Sequence, residues 1–318
     1  MAAAPLRLGT RGSPLALWQA RDVAARIAAA GGPDCEIVII RTSGDRVTDR
    51  ALSEIGGKRL FVKELEDALL TSTIDVAVHS AKDMSVTLPV GLAIAAALPR
   101  EDPLDALVLP ATARDVGDTP TVDAVVAALG QSPTIGTGSI RRISQLTRLL
   151  PHARFSGLRG NLDTRLRKLD TGDFDAIVLA AAGLRRLGMA GRISLCLPSD
   201  ACVPAPGQGI VAVEIRDQDA RAREAVAPIA DASAAAALAA ERALVVALGG
   251  GCQMPIGALA ETPGADELKL VAIVVSPDGR RALTARDTGT WADAARVGAD
   301  VGAALLGDGA AGLLAAAG

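Results

Sequence analysis

Tyrosine is absent from these 318 residues, and three phenylalanines and two tryptophans bring the aromatic share to only 2%. Stacking platforms for the bases of single-stranded nucleic acid are therefore hardly available. An excess of positive charge is lacking too, because 33 basic and 36 acidic residues leave a net charge of -3. That balance argues against a general electrostatic grip on a phosphate backbone. Histidine occurs only as His79 and His152, so a histidine-rich metal centre is not expected, and no metal is assigned. Cys35, Cys196, Cys202 and Cys252 show neither Cys-x-x-Cys spacing nor the density of a disulfide scaffold, which points to reduced thiols in a cytoplasmic protein. No window is apolar and long enough to span a bilayer. Met1 to Leu8, interrupted by Pro5 and Arg7, lacks the apolar centre of a secretory signal.

What remains is the composition of a soluble globular chain, 50% hydrophobic and 22% charged, long enough for two or three domains. Five lysines (Lys58, Lys63, Lys82, Lys168, Lys269) stand among 33 basic residues, so arginine supplies nearly all the positive charge. One loop stands out: Gly249-Gly250-Gly251-Cys252-Gln253-Met254-Pro255-Ile256-Gly257. A helix pattern from Ala234 to Leu248 runs into three glycines that end it, and Pro255 and Gly257 bend the chain again. Cys252 is thereby presented between two backbone corners, suited to a tether or a nucleophile. Its alternative is that of most free cysteines, a small apolar side chain filling space.

In chain order, Leu6 to Gly9 reads as a strand running into Arg11-Gly12-Ser13-Pro14, where Ser13 caps a helix to about Ala30. Free amides at that helix start, with Arg11 beside them, suit an anion. Cys35 to Arg41 has the continuous apolar run of a strand buried on both faces. Lys58 opens an amphipathic helix from Leu60 to Leu70, a position that is either solvated or meant for an anionic ligand. Ile74 to Val78 is a further strand, and it delivers His79-Ser80-Ala81-Lys82-Asp83 to the edge of the sheet where ligands gather.

After a strand at Leu92 to Leu98 the pattern restarts. Ala106 to Leu109 and Thr134 to Gly136 are strands, and Thr137-Gly138-Ser139 repeats the earlier device, with Ser139 capping a helix that begins Ile140-Arg141-Arg142. Two arginines in a first turn oppose the helix dipole, by roughly 0.3 to 1 kcal/mol each. An anionic ligand would resolve the conflict, and replacing either arginine is expected to leave the fold intact. Phe155 to Leu158 leads to Arg159 and a helix capped by Asn161 that carries Arg165, and Phe174 to Ala181 leads to Arg185-Arg186. Pro204 to Gly209, with Gln208, is turn-rich and precedes a return strand at Ile210 to Ile215, so two crossovers form a hinge. The last region reads as a helix, the Cys252 loop, two antiparallel strands joined at Pro277-Asp278-Gly279, and an amphipathic helix from Trp291.

Over nearly its whole length the chain resembles the porphobilinogen deaminase (hydroxymethylbilane synthase) family. The resemblance is carried by TRGSPLALWQA, GGKRLFVKELEDALL, HSAKD, REDP, GTGSIRR, LRGN with TRLRKLD, AAGLRRLG, PAPGQG and GGGCQMPIG. Two positions depart from the family pattern, Gly138 where serine is usual and Ser85 where proline is usual. The resemblance implies an α/β fold with two doubly wound domains like the type II periplasmic binding proteins around a cleft, plus a small C-terminal α+β domain carrying the cysteine loop. The domains would span 1–99 with 204–228, 100–203, and 229–318. It also implies a monomer that condenses four porphobilinogen molecules head to tail with loss of ammonia and releases hydroxymethylbilane by hydrolysis. The reaction would be primed by a dipyrromethane in thioether linkage to Cys252, with no nucleic acid or membrane partner.

Porphobilinogen carries two carboxylates, so a growing polypyrrole chain needs fixed cations of planar, bidentate reach, which arginine supplies better than lysine. Loss of ammonia leaves an electron-deficient ring, and Asp83 is the candidate for stabilising it through the pyrrole N–H. By motif match, Arg11, Ser13, Lys58, Lys82, Thr137, Ser139, Arg141, Arg142, Arg159, Arg165, Arg186 and Gln208 are assigned to cofactor and substrate binding. Two other readings compete. A two-lobed anion receptor leaves Cys252 and Asp83 idle, and a cysteine hydrolase needs a base that two histidines scarcely supply.

Overall fold

A computed structural model describes residues 4–42, 62–112, 120–250 and 254–317. Lys58 and Cys252 lie outside the described residues, as do Leu60 and Phe61 of the helix expected to start there. The chain opens with β1 (Leu6–Thr10), α1 (Pro14–Ala29) and β2 (Cys35–Ile39). Ser13 caps α1 by accepting from the Ala16 amide at 3.3 Å, Pro14 takes the first turn where no N–H is needed, and Gln19, Ala20, Val23 and Ile27 form the buried face. α2 (Lys63–Leu70), β3 (Val76–Ser80), a single 3-10 turn at Ala81–Asp83, and β4 (Leu92–Ala97) follow.

The chain then builds a second sheet: β5 (Asp105–Val108), α3 (Val122–Leu129), β6 (Thr134–Gly136), α4 (Ile140–Leu149), β7 (Arg154–Ser156), α5 (Leu162–Asp170), β8 (Ala176–Ala180), α6 (Ala181–Arg186) and β9 (Leu195–Leu197). β10 (Val211–Arg216) returns to the first sheet, before α7 (Ala220–Val226) and α8 (Ala232–Ala247). A third sheet of β11 (Ile256–Glu261), β12 (Leu268–Val275) and β13 (Ala282–Gly289) precedes α9 (Ala294–Gly307) and α10 (Ala310–Ala315).

The first two sheets share one topology. The first runs β2-β1-β3-β10-β4 and the second β7-β6-β8-β5-β9. In each, three strands are parallel, and the fourth is antiparallel to both its neighbours because it enters by a crossover from the other sheet. Each is covered by helices, and each has apolar clusters on both faces, around Leu8, Val78 and Val213 and around Leu65 and Ala77 in the first, and around Ile177 and Leu179 and around Val178 and Leu146 in the second. This is the doubly wound pair implied by the resemblance. The third sheet is antiparallel, and its apolar cluster is continuous with the first sheet through Ala97, Ala212 and Met84, which fixes α8 and hence Gly249 and Gly250 against it.

Several details differ from the sequence reading. β2 is parallel to β1 as expected but is an edge strand, not one buried on both faces, and Ile39 is 55% exposed. Asn161 occupies the N-cap of α5 without a side-chain cap bond. The last sheet has three described strands where two were expected, because Ile256–Glu261, directly after Pro255, pairs along β12. The helix expected from Trp291 begins at Ala294, after a turn in which Thr290 donates to Asp293 at 2.9 Å.

Candidate functional site

The carboxyl end of β3 turns sharply into Ala81–Asp83, closed by the Met84 amide donating to Ala81 at 3.2 Å and by the Ala81 amide donating to Ile210 at 3.0 Å. Gly207 presses on this turn from the crossover. A Cβ there would lie 2.9 Å from the Lys82 nitrogen, and the residue has a φ of +76°, so only glycine allows the approach. Lys82 Nζ donates to Gln208 Oε1 at 3.2 Å. Asp83 is thus set in a small pocket of about 60 Å³ lined by Arg11, Ser13, Gln19, His79 and Ser80 among others. Gln19 Nε2 donates to Ser80 Oγ at 3.1 Å, tying α1 to the end of β3.

The matching end of the second sheet is closed differently. Thr137 Oγ1 accepts from the Ser139 amide at 3.2 Å, and Ser139 Oγ accepts from the Arg142 amide at 3.5 Å, so both hydroxyls shape the turn that starts α4. Arg141 and Arg142 point inward to one carboxylate. Arg141 Nη1 lies 2.6 Å from Asp105 Oδ2, and Arg142 Nη2 lies 2.7 Å from Asp105 Oδ1. The same guanidiniums donate to the carbonyls of Val203 and Val178 at 2.8 Å each. Burial alone would raise the Asp105 carboxyl, but the two arginine charges outweigh it and hold it far below the usual carboxylate range. Burial, reinforced by the Asp105 charge, pushes the adjacent Cys202 thiol up to about 12. Both first-turn arginines thus share a single carboxylate of the chain itself, which leaves one positive charge of the pair uncompensated by Asp105.

Gln208 joins the two ends. Its Nε2 donates to Pro103 O at 2.7 Å and to Asp105 Oδ1 at 3.0 Å, while its Oε1 accepts from Lys82. Arg186 is likewise engaged at this seam, donating to Gly209 O at 2.7 Å and lying over the Trp18 ring at 5.7 Å. Behind the crossover, Arg100 Nη1 pairs with the buried Glu241 of α8 at 2.7 Å.

Arg159 and Arg165 are in another condition. Arg165 Nε donates to Gly160 O at 2.7 Å, yet among the described residues neither arginine has a carboxylate within ion-pair distance. Burial and the charges of Arg142 and Arg159 push the Arg165 guanidinium down to about 10, against an upward pull from Asp83. Asp83, on the first sheet, thus acts electrostatically on a cation of the second. A surplus of half-buried guanidinium charge facing one carboxylate suits a ligand that brings several carboxylates of its own, as a dipyrromethane bearing acetate and propionate chains does. A separate cavity of about 470 Å³ is lined by Glu66, Ser85 to Pro89, Val246, Gly249 and Gly250, the two glycines lying just after the end of α8. Neither departure from the family pattern is steric at its backbone: among the described residues a Cβ at Gly138 would meet only Leu158 O, at 3.9 Å, and the turn before Ser85 closes without proline.

Sequence reasoning missed Asp105, Glu241 and Glu214, the partners that neutralise or hold the named residues. Asp105 and Glu214 carried a faint signal, each a lone carboxylate in an otherwise apolar strand, Asp105 two residues after Pro103 and Glu214 within Ile210 to Ile215.

The family model described as porphobilinogen deaminase, dipyromethane cofactor binding domain, matches residues 6–224, and the model of the C-terminal domain matches residues 235–307. Proteins named porphobilinogen deaminase from Acidithiobacillus ferrooxidans and Syntrophobacter fumaroxidans are 46% and 44% identical over 307 and 306 residues, covering 96% of this chain and 96% and 95% of theirs. That from Bordetella parapertussis is 46% identical over 312 residues, 98% of this chain and 95% of the other. Among solved structures, a periplasmic substrate-binding protein of an ABC transporter from Coxiella burnetii superposes with a TM-score of 0.43 at 13% identity, over 73% of this chain and 94% of that one. The two family models together take in nearly all of the three-sheet architecture, and on them and the full-length relatives the chain belongs to the porphobilinogen deaminase family.

Proposed function

We propose that this chain condenses four molecules of porphobilinogen head to tail and releases hydroxymethylbilane, with Asp83 as the catalytic carboxylate and Cys252 as the attachment point of the cofactor. A dipyrromethane bound through a thioether at Cys252 supplies the free pyrrole position to which the first substrate couples. The observation that carries the reading is the pocket at the end of β3, where Asp83 is the sole carboxylate among the described lining residues and its charge reaches Arg165 on the opposite sheet.

Each coupling breaks the C–N bond of an aminomethyl group, the electron pair leaving with ammonia, forms a C–C bond to the next ring, and expels the proton from the attacked carbon. Positive charge develops on ring nitrogen meanwhile. Asp83, held on a short turn that Gly207 and Ile210 brace, is placed to accept a pyrrole N–H and offset that charge without reorganising. Arg11, Ser13, Arg159 and Arg165 bind carboxylates of the substrate and product chain. Lys58 joins them by motif match alone. Lys82, Thr137, Ser139, Arg141, Arg142, Arg186 and Gln208 belong to the same binding surface, and their hydrogen bonds argue that they fix its shape as well as its charge. The three sheets correspond to domains at 1–99 with 204–228, 100–203 and 229–318. The chain works as a cytoplasmic monomer and engages neither nucleic acid nor membrane; among the described residues no helix is long and apolar enough to cross one.

Intact mass of the purified active protein tests the reading. It should exceed the sequence mass by two porphobilinogen units less the ammonia lost in coupling. Cys252→Ser should lose that increment, and changes at Cys35, Cys196 or Cys202 should keep it. An unmodified mass in active protein overturns it.

A further inference from the structure

One buried pair at the reacting end of the first sheet has no part in the scheme above. His79 on β3 and Glu214 on β10 are diagonal neighbours across an antiparallel ladder, since His79 stands opposite Ala212 and Glu214 opposite Ala77. His79 Nε2 lies 3.0 Å from Glu214 Oε2, with side-chain exposures of 4% and 0%. Among the described residues Glu214 Oε1 has no hydrogen-bond partner at all. A buried carboxylate satisfied on one oxygen only is costly, and a sheet core has cheaper ways to fill the same volume. His79 also lines the pocket that holds Arg11 and Asp83, four residues before the catalytic carboxylate. Its second ring nitrogen, Nδ1, makes no hydrogen bond among the described residues.

We propose that Glu214 and His79 form a positioning dyad for the coupling reaction: the carboxylate aligns the imidazole by accepting from Nε2–H, and the imidazole keeps a proton-exchanging nitrogen at the pocket of Asp83. The arrangement follows the logic by which a buried carboxylate fixes the tautomer of a working histidine. It serves a reaction that must move a proton off the attacked ring carbon at every coupling and deliver one to the departing amine. Charged groups on the elements packed around the pair include Arg21, Asp22 and Arg26 of α1, Lys63, Glu64, Glu66 and Asp67 of α2, Arg11 and Asp83 at the pocket, and the Arg7–Asp75–Arg216 cluster at the far end of the strands. Of these, only Arg11 and Asp83 share the pocket with the imidazole among the described residues.

This inference rests on the assignment of Asp83 given above, and its test separates the two. The chain has two histidines, so ¹⁵N-histidine labelling of the full-length, cofactor-loaded protein gives two ring systems, and His152→Gln, at an exposed position, assigns them. The His79 ring should be protonated at Nε2 and should change its Nδ1 signal when porphobilinogen is added. Glu214→Gln should abolish the tautomer bias, lower kcat about tenfold with KM within about twofold, and give a pH–rate profile that no longer superimposes on the parent's. His79→Gln, which retains an N–H for Glu214, should fold and be equally slow. A Glu214→Gln protein that keeps the parent's kcat and pH profile and only melts earlier makes the pair structural and overturns the proposal. If neither variant folds, the parent spectrum decides, and a His79 ring indifferent to porphobilinogen overturns it. Failure of the Asp83 assignment looks different: Asp83→Asn then turns over at the parent's rate whatever the dyad does.

Discussion

The carboxyl ends of the two five-stranded sheets share a local design at β1 and β6, each running into a serine-capped helix with arginine nearby, yet the charges gathered at the two ends are disposed differently. At the end of β6, Arg141 and Arg142 fold inward and share the one buried carboxylate of Asp105. At the end of β3, Asp83 shares a pocket with Arg11, while Arg159 and Arg165 across from it have no carboxylate within ion-pair distance among the described residues. A matched fold therefore does not give matched chemistry. The difference arises at the crossover: β5 brings an aspartate, Asp105, into the position from which both arginines can be reached, whereas β10 brings Ala212 and Glu214 beside β3.

The sharpest test exchanges the roles of the two aspartates. Asp105→Asn leaves two buried guanidiniums without a compensating charge, and loss of one member of such a cluster typically costs about 3 to 5 kcal/mol of stability. Chemical denaturation should show this loss. Arg141→Leu should also destabilise, against the expectation from sequence that the fold would be indifferent. Full stability in the Asp105 variant would break the contrast between the two ends.

Asp83→Asn should do the reverse. It keeps the shape and one acceptor oxygen, so melting should be unchanged. Turnover should fall by roughly a hundredfold, the rate equivalent of about 3 kcal/mol of lost charge stabilisation. Single-turnover ammonia release measures it, and near-parental release would remove Asp83 from catalysis.

A smaller effect is expected on the cation side. Arg165→Leu removes a guanidinium that burial and its neighbours already push down to about 10. Stability should hold or rise slightly, while KM for porphobilinogen climbs about tenfold. A destabilised protein with normal KM would show that Arg165 is structural after all.

The smallest test compares the two ends of β3 itself. Asp75, just before the strand, is buried, which alone would raise its carboxyl, but hydrogen bonds and charge from Arg7 and a bond from Arg216 bring it down to about 2 from an ordinary 3.8. A depressed carboxyl stabilises the fold above its ordinary range and ceases to as pH falls from about 4 to about 2, a contribution of roughly 2 kcal/mol. Asp75→Asn should therefore lose about that much stability near neutral pH, and the gap to the parent should close in acid. A gap independent of pH would mean that the Arg7–Asp75–Arg216 cluster holds by packing and not by charge.

Much of this was legible in the chain, and for definite reasons. Ser13 and Ser139 announced helix starts because a cap is a local bond, made within three residues and independent of what packs around it. Strand positions followed from apolar runs, and the return crossover at Pro204 to Gly209 from its turn chemistry. Ordered motifs at strand ends gave the family. What the sequence could not determine was which charges meet. Arg141 and Asp105 stand 36 residues apart, Lys82 and Gln208 126, and His79 and Glu214 135. Whether an arginine is neutralised from within or left for a ligand depends on such separations closing in space. Helix caps and strand periods are set by neighbours in the chain, but the charge state of each end of the fold is set by which distant strand the crossovers bring alongside, and only the tertiary structure decides that.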